Sequence, residues 1–509
     1  MDILRKIIIS VSLLITALAS IYILKDNYRS LWFWLFFGIL SGILGVVLFV
    51  DKNKFKNISR KNIFVTSILV LLVIQAIVAY ATFSKSGWDI ATVRNIVNYY
   101  IENNKDIEYK SYLTRYDNNT PIAMFLLIIY KIAGVLNIDG FTLSSIVNAL
   151  MMISGTIAVL WVVYRRFNLR VYVCVWILSV ILVGLSPYIS QFYTDSVGFF
   201  GVSIIILSAD FLTRKKNYLS ALLLGIAIIF SFYMKATSFI LVLAVFATLF
   251  LSFSKQYINK KSILIGLSIL MGVFSGVIVN VILRSKFSEL KYQDKNMIDR
   301  YAFDASHFLA LGSLRGGNKY DKCRNGEYCH EYVVDMISDG LKSSRFEKNI
   351  KVFKDSLRRD FPVGYLGFAI DKIGRAFSKG SFLIWWDGES NKLNFLNQDK
   401  ASRFIRRFLA VENNFEPTAG RYFDKINYLW NATWFIVVVL ITVGSYRGFK
   451  NANKYNIIIV TILSVAIVGI AMYQGLFESR ARYLFLYLPF FMLMAGYGLD
   501  GLIKRSKNV

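Results

Sequence analysis

Histidine is almost missing from this chain. Its 509 residues hold two, His307 and His330, and both read as loop side chains rather than catalytic bases. Cysteine is nearly as scarce, with three. Cys174 lies inside an apolar run and reads as lipid-facing or packed filler. Cys323 and Cys329 share one polar loop. On the oxidising side of a membrane they would form a disulfide; the alternative is two free thiols. A zinc site on Cys323, Cys329 and His330 lacks an evident fourth ligand. Tandem repeats and low-complexity tracts are missing. Acids are outnumbered, 32 against 59 Lys and Arg, for a net charge of +27. In a soluble protein that balance would point to nucleic acid. Here the basic residues fall in short loops between apolar runs, so they report topology and imply no nucleic-acid partner.

Apolar and aromatic sequence is what the chain has in quantity. It is 56% hydrophobic and 16% aromatic. Runs of about 20 apolar residues recur, the length that crosses a bilayer. The fold class is an all-α polytopic membrane protein with aromatic belts at the interfaces. About 12 transmembrane helices are predicted, at 6–24, 31–50, 63–83, 141–163, 171–189, 196–212, 218–234, 236–254, 262–283, 427–446, 456–473 and 483–502. Ala17-Leu18-Ala19 mimics a signal-peptide cleavage site, but apolar residues continue to Leu24 and the segment reads as a span. Residues 51–62 carry Lys52, Lys54, Lys56, Arg60 and Lys61 against Asp51. The positive-inside rule places that loop in the cytoplasm. Residues 1–62 then form a two-helix segment and 63–283 a transmembrane core with a first outer loop at 84–140. Residues 284–426 are an extracytoplasmic and juxtamembrane region, and 427–509 the last helices. Both termini lie inside.

The run 121–138 tests this scheme. If it spans, the next run ends outside with Arg165, Arg166 and Arg170, against the rule. It is therefore predicted to be a re-entrant or interfacial helix on the outer face, with Lys131 in its middle. Residues 345–379 are predicted as amphipathic helix lying on the membrane surface.

Polar clusters gather at outer span ends. The organising stretch is Ser86 to Pro121, which holds Trp88-Asp89 and then Arg115-Tyr116-Asp117-Asn118-Asn119. Tyr193-Thr194-Asp195, Lys235 and Glu478-Ser479-Arg480-Ala481-Arg482-Tyr483 lie on the same face. Trp385-Trp386-Asp387-Gly388-Glu389 is a further aromatic–acid cluster. Charges at membrane depth are functional hypotheses. Carboxylates beside cations suit one reaction: a carboxylate takes a proton from an acceptor hydroxyl, while Arg and Lys hold a phosphate leaving group. The substrate would be a lipid phosphate whose tail stays in the bilayer.

At these residues the chain resembles the GT-C glycosyltransferases of Gram-positive bacteria, relatives of the protein mannosyltransferase and aminoarabinose transferase class. The resemblance rests on Asp89 after an early span, Arg115 to Asn119, Tyr193-Thr194-Asp195, the Lys235 turn, Trp386-Asp387-Gly388, and Glu478-x-Arg480-x-Arg482-Tyr483. It spans roughly residues 63–500. Asp117 and Ala236 stand where the family's pattern has proline. The resemblance implies a polyprenyl-phosphate sugar as donor and inversion at the anomeric carbon. The implied acceptors are extracytoplasmic glycans or polymers such as teichoic acids, at the cytoplasmic membrane.

Each role has a plainer alternative. Asp89 is the expected general base, or a helix cap or arginine partner. Asp195 is a second acid serving acceptor or metal, or a helix N-cap. Lys235, Arg480 and Arg482 are expected phosphate ligands, or interfacial side chains that snorkel. Arg115 is a fourth phosphate ligand, or the partner of Asp89 or Asp117. Trp88, Tyr116, Asn118, Asn119, Tyr193, Trp386, Asp387, Glu478 and Tyr483 are expected substrate contacts. A divalent metal ion between Asp89 and Asp195 is an option that four basic groups make unnecessary. Two other functions compete: a flippase or transporter for lipid-linked saccharide, and a surface-polysaccharide polymerase. The first would carry charges deep in several spans and related halves. Here the charges lie at span ends.

Overall fold

A backbone in hydrocarbon has to satisfy its own N–H and C=O groups, and consecutive apolar runs do so as helices. The computed structural model describes residues 2–50, 59–85, 87–102, 108–215, 217–252, 260–289, 295–316, 320, 322–323, 325–338, 342–359, 361–385, 393–451 and 454–505. Helices α1 (Asp2–Asn27), α2 (Leu31–Phe49) and α3 (Arg60–Ala81) lead to α4 (Trp88–Ile101) and α5 (Glu108–Arg115). Then come α6 (Thr120–Val135), α7 (Gly140–Arg166), α8 (Leu169–Ser179), α9 (Thr194–Lys215), α10 (Tyr218–Met234), α11 (Phe239–Ser252) and α12 (Lys260–Glu289). The polar region holds α13 (Lys295–Tyr301), α14 (Ala305–Ser313), α15 (His330–Ser338), α16 (Lys342–Arg358), α17 (Val363–Phe377) and α18 (Lys400–Leu409). Helices α19 (Phe423–Asn451), α20 (Lys454–Leu476) and α21 (Leu488–Arg505) end the chain.

Among the described residues, nine helical stretches are long and apolar enough to cross a membrane, and four shorter apolar helices join them. Every predicted span falls on one of these. The protein is an all-α polytopic membrane protein. Boundaries follow local chemistry. Asp139, Asn168 and Asn217 cap α7, α8 and α10 by accepting from Thr142, Val171 and Ser220 N–H at 2.8, 3.1 and 2.8 Å. Each such cap contributes about 1 kcal/mol.

Helix α6 covers most of the run predicted to be re-entrant or interfacial. The helix has 16 residues, and with the turn before it forms Asp117–Val135, one of the nine stretches long and apolar enough to cross a membrane. Ten of the helix's residues are buried, against α4 and α7, and Lys131 stays exposed over the Tyr100 ring. The expectation for 345–379 needs correction. The chain breaks at Phe361-Pro362 and makes two helices, because Pro362 has no N–H to continue α16. Helix α16 packs against α13 and α14. Its Asn349 accepts from Tyr332 at 2.5 Å and donates to Ser306 at 3.0 Å, closing a small unit with α14 and α15. Helix α17 packs on α1 and α20 and exposes Val363, Leu366 and Ile370.

Three apolar clusters matter for the site. The largest joins α1–α3, α7–α9 and α19–α21. Cys174 is buried within it, packed rather than lipid-facing. A second joins α4–α6 to Phe192 and Met234. A third is the small unit of Ala310, Leu311, Cys329, Tyr332, Val333 and Met336. Cys323 and Cys329 form a disulfide at its edge.

The exit of α3 is pinned by one buried arginine. Arg406 of α18 is fully enclosed. Its Nε donates to Glu416 Oε2 at 2.7 Å, and its Nη1 to Ala81 O at 2.9 Å and Asn397 O at 2.8 Å. Strand β1 (Ser84–Lys85) pairs antiparallel with β2 (Asn394–Phe395) immediately beyond. Removing one partner strands a buried charge. Arg406→Met is expected to cost about 3–5 kcal/mol, and Arg406→Met with Glu416→Met less than that, read by unfolding in lipid nanodiscs.

His307 supplies a pH signature. It is buried in α14, stacked on Phe303 at 3.9 Å, and neither ring nitrogen has a hydrogen-bond partner among the described residues. Burial, with Arg345 adding to it, pushes the imidazole down to about 3, against a smaller opposite pull from Asp304. A depressed folded value means that stability is complete above pH 6.5 and falls as pH drops toward 3. His307→Phe is expected to flatten that acid limb in melts recorded between pH 4 and pH 8.

Candidate functional site

The site grows from the α3 exit. Gln191 Nε2 donates to Ser84 Oγ at 3.2 Å, and Thr82 Oγ1 to Ser190 Oγ at 3.2 Å. These bonds bring the α3 exit beside the segment that precedes α9. Gly87 opens α4, and Asp89 lies in its first turn, where the helix N-terminus favours a carboxylate. Tyr193 donates its hydroxyl to Asp89 Oδ2 at 3.2 Å. Arg482 Nη2 lies 3.8 Å from the same oxygen. The Asp89 side chain is 41% exposed and that of Arg482 only 9%, so the carboxylate is accessible beside a sheltered cation.

Asp195 has a different setting. It lies within the first turn of α9 rather than at its cap, and it is fully buried. Lys235, in the turn after α10, donates to Asp195 Oδ1 at 2.7 Å and to Thr194 Oγ1 at 3.4 Å. Asp195 Oδ2 has no hydrogen-bond partner among the described residues. A buried pair of this kind loses several kcal/mol if one charge is removed. Asp195 therefore orients Lys235, whose ammonium also lies 4.8 Å from the Tyr483 ring.

The segment before α21 completes the cluster. Tyr483 donates to Glu478 Oε1 at 2.9 Å, and Arg480 Nε lies 3.7 Å from that oxygen. The Arg482 guanidinium lies 5.2 Å from the Tyr483 ring. The small unit around α14 and α15 splints this segment. Glu478 N–H donates to Phe308 O and Ser479 N–H to Gly326 O, each at 3.0 Å. Lys372, buried on α17, donates to Gly312 O, Gly475 O and Phe477 O at 2.5, 3.2 and 2.8 Å. Three ammonium hydrogens meet three carbonyls, which satisfies a charge that burial would otherwise penalise.

The same unit grips the first polar loop. Phe303 N–H donates to Arg115 O at 2.8 Å, and the Tyr116 ring lies between Tyr112 and Phe303, at 5.1 and 5.2 Å. Burial first, and then nearby Tyr328, Asp89 and Glu478, push the Tyr116 phenol up. Asn119 donates to Tyr112 Oη at 2.8 Å, and Asn118 to Asn119 Oδ1 at 3.4 Å. The Arg115 side chain forms no ion pair among the described residues, with Asp89, Asp117 or any other acid. Asp117 instead holds Arg284 of α12, whose Nη1 lies 3.1 Å from both carboxylate oxygens.

The structure thus gathers Asp89, Tyr193, Asp195, Lys235, Glu478, Arg480, Arg482 and Tyr483, with Tyr116, Asn118 and Asn119 on the adjoining loop. Trp386 and Asp387 lie outside the described residues, as does the Trp88 side chain. Arg284, Tyr328 and Lys372 were not among the predicted residues. Arg284 ends an apolar run, the signal that singled out Lys235; Tyr328 and Lys372 carry no comparable signal. Among the described residues no group of three His, Cys, Asp or Glu side chains is placed to hold a metal ion. A divalent ion on Asp89 and Asp195 would have to share them with Arg482 and Lys235.

Over residues 1–501 the chain matches the profile of a family described as conserved hypothetical integral membrane proteins. No curated protein and no solved structure matches it.

The Asp117–Arg284 pair gives a test of loop positioning. Asp117→Asn and Arg284→Gln are each expected to cost about 1 kcal/mol, and the double variant no more than either alone. Unfolding of the four proteins in nanodiscs closes the cycle; additive losses would mean that the two side chains act separately.

Proposed function

This chain belongs to that family of integral membrane proteins, and we propose that it transfers a sugar from a polyprenyl-phosphate donor to an acceptor on the outer face of the cytoplasmic membrane. One observation carries the reading: an accessible carboxylate, Asp89, stands 3.8 Å from a sheltered Arg482, with Lys235 and Arg480 in the same cluster. The acceptor hydroxyl gives its proton to Asp89 as its oxygen bonds to the anomeric carbon. The bond from that carbon to the phosphate oxygen breaks, and its electrons leave with polyprenyl phosphate. Negative charge grows on the phosphate where Arg482, Arg480 and Lys235 lie. Preorganised cations there stabilise the transition state without reorganising. The Tyr193 hydroxyl holds Asp89 in place, and Asp195 holds Lys235. The apolar helices beneath keep the polyprenyl chain in the bilayer.

Asp89→Asn keeps the shape and loses the base, so transfer is expected to fall about 10²–10⁴-fold. The check is the sugar composition of cell-surface polymers in a deletion strain carrying wild type or Asp89→Asn at matched protein levels. Loss of one sugar substituent in both the deletion and Asp89→Asn strains supports the reading and identifies the sugar. Full composition with Asp89→Asn refutes Asp89 as base. Disappearance of whole polymers favours a polymerase or flippase.

A further inference from the structure

The loop closed by Cys323–Cys329 takes no part in the transfer chemistry above, yet it presses against it. Gly326 N–H donates to Leu314 O at 3.0 Å, and Gly316 N–H to Cys323 O at 2.9 Å. Gly326 sits at φ +64°, and a Cβ there would come within 2.6 Å of Gly312 O, so the turn requires glycine. Together with the bond from Ser479 N–H to Gly326 O, these contacts fix Tyr328 against the site. The Arg480 guanidinium lies 5.6 Å from its ring centroid. Tyr328 is nevertheless 44% exposed, and its hydroxyl stands 3.5 Å from His330 Nδ1. Burial first, and then the charges of Asp89 and Glu478, push its phenol up, while Arg480 opposes them. The ring therefore stands in the field of both carboxylates.

An aromatic ring held in place with 44% of its surface exposed keeps apolar area in contact with water. Its π face suits the C–H face of a pyranose. Arg480 and the two carboxylates beside it offer donors and acceptors for sugar hydroxyls. A bare phosphate would use only the cation, and an isoprenoid chain would leave all three charged groups unused. We propose that Tyr328 is the platform on which a pyranose ring of the substrate rests, and that the Cys323–Cys329 bridge keeps this platform in register with Arg480. The inference rests on the transferase reading for the ring's place in a reaction, but its binding is separately measurable.

The experiment uses the full chain in nanodiscs. The probes are polyprenyl phosphate alone and polyprenyl phosphates bearing glucose, galactose, mannose or N-acetylglucosamine. Wild type is expected to bind at least one sugar-bearing lipid more tightly than the bare lipid phosphate. Tyr328→Ala is expected to lower that preference about 3- to 10-fold, with binding of the bare lipid unchanged. Tyr328→Phe should retain it. Reduction of the disulfide, or Cys323→Ser with Cys329→Ser, should lower it too, and should add nothing to Tyr328→Ala. Unchanged preference in Tyr328→Ala overturns the platform and leaves the transferase reading standing. No preference in wild type for any sugar overturns both. Preference that depends on Tyr328, without any transfer to acceptor, keeps the platform and overturns the transferase.

Discussion

Hydrocarbon leaves a polypeptide no water to bond with, and that constraint arranges this molecule. The apolar helices satisfy their own backbones, so polar side chains collect where the helices end. The consequences are visible at Asp89, Asp195, Lys235 and Arg482. Each stands at or beside the end of a long apolar run, and each finds its partner among the others. A charge that reached this depth alone would be expelled or neutralised. The candidate site is the place where one set of helix ends meets.

Helix ends alone would make a loose cluster. The small unit of α14, α15 and α16 turns it into a defined one. On one side it takes the Arg115 carbonyl and the Tyr116 ring; on the other it bonds the backbone at Glu478 and Ser479. Two segments more than 350 residues apart are thereby held to one template. Lys372 reinforces the join, because its three hydrogens tie the end of α14 to the end of α20. Arg406 does the corresponding work at the α3 exit, next to the strand that leads to Asp89. Positioning of this kind favours chemistry that needs charges fixed in advance, as phosphate departure does.

The two acids divide the work by environment. Asp89 is accessible and touched by a tyrosine hydroxyl; Asp195 is enclosed and occupied by Lys235. In the proposed reaction only the first is free to exchange a proton with a substrate, and the second fixes a cation. The identical side chain serves both purposes because one sits at an open helix start and the other inside packed helices.

Much of this was legible in the sequence, for a physical reason. Hydropathy acts over a whole run, so composition is enough to put every predicted span on an apolar helix. Charged residues at run ends announce themselves in the same way, which is why Asp89, Asp195, Lys235, Arg480 and Arg482 were found. Contacts between distant segments leave no such trace. Nothing in the order of residues says that Asp117 holds Arg284 rather than Arg115, or that 345–379 breaks into two helices with separate tasks. Nor does it say that Cys323 and Cys329 are joined, or that Tyr328 stands beside Arg480. The sequence by itself determined a polytopic helical membrane protein with its charges at helix ends. Only the tertiary structure decided which charges pair, because pairing depends on packing between helices, and packing is set by shape rather than by hydropathy.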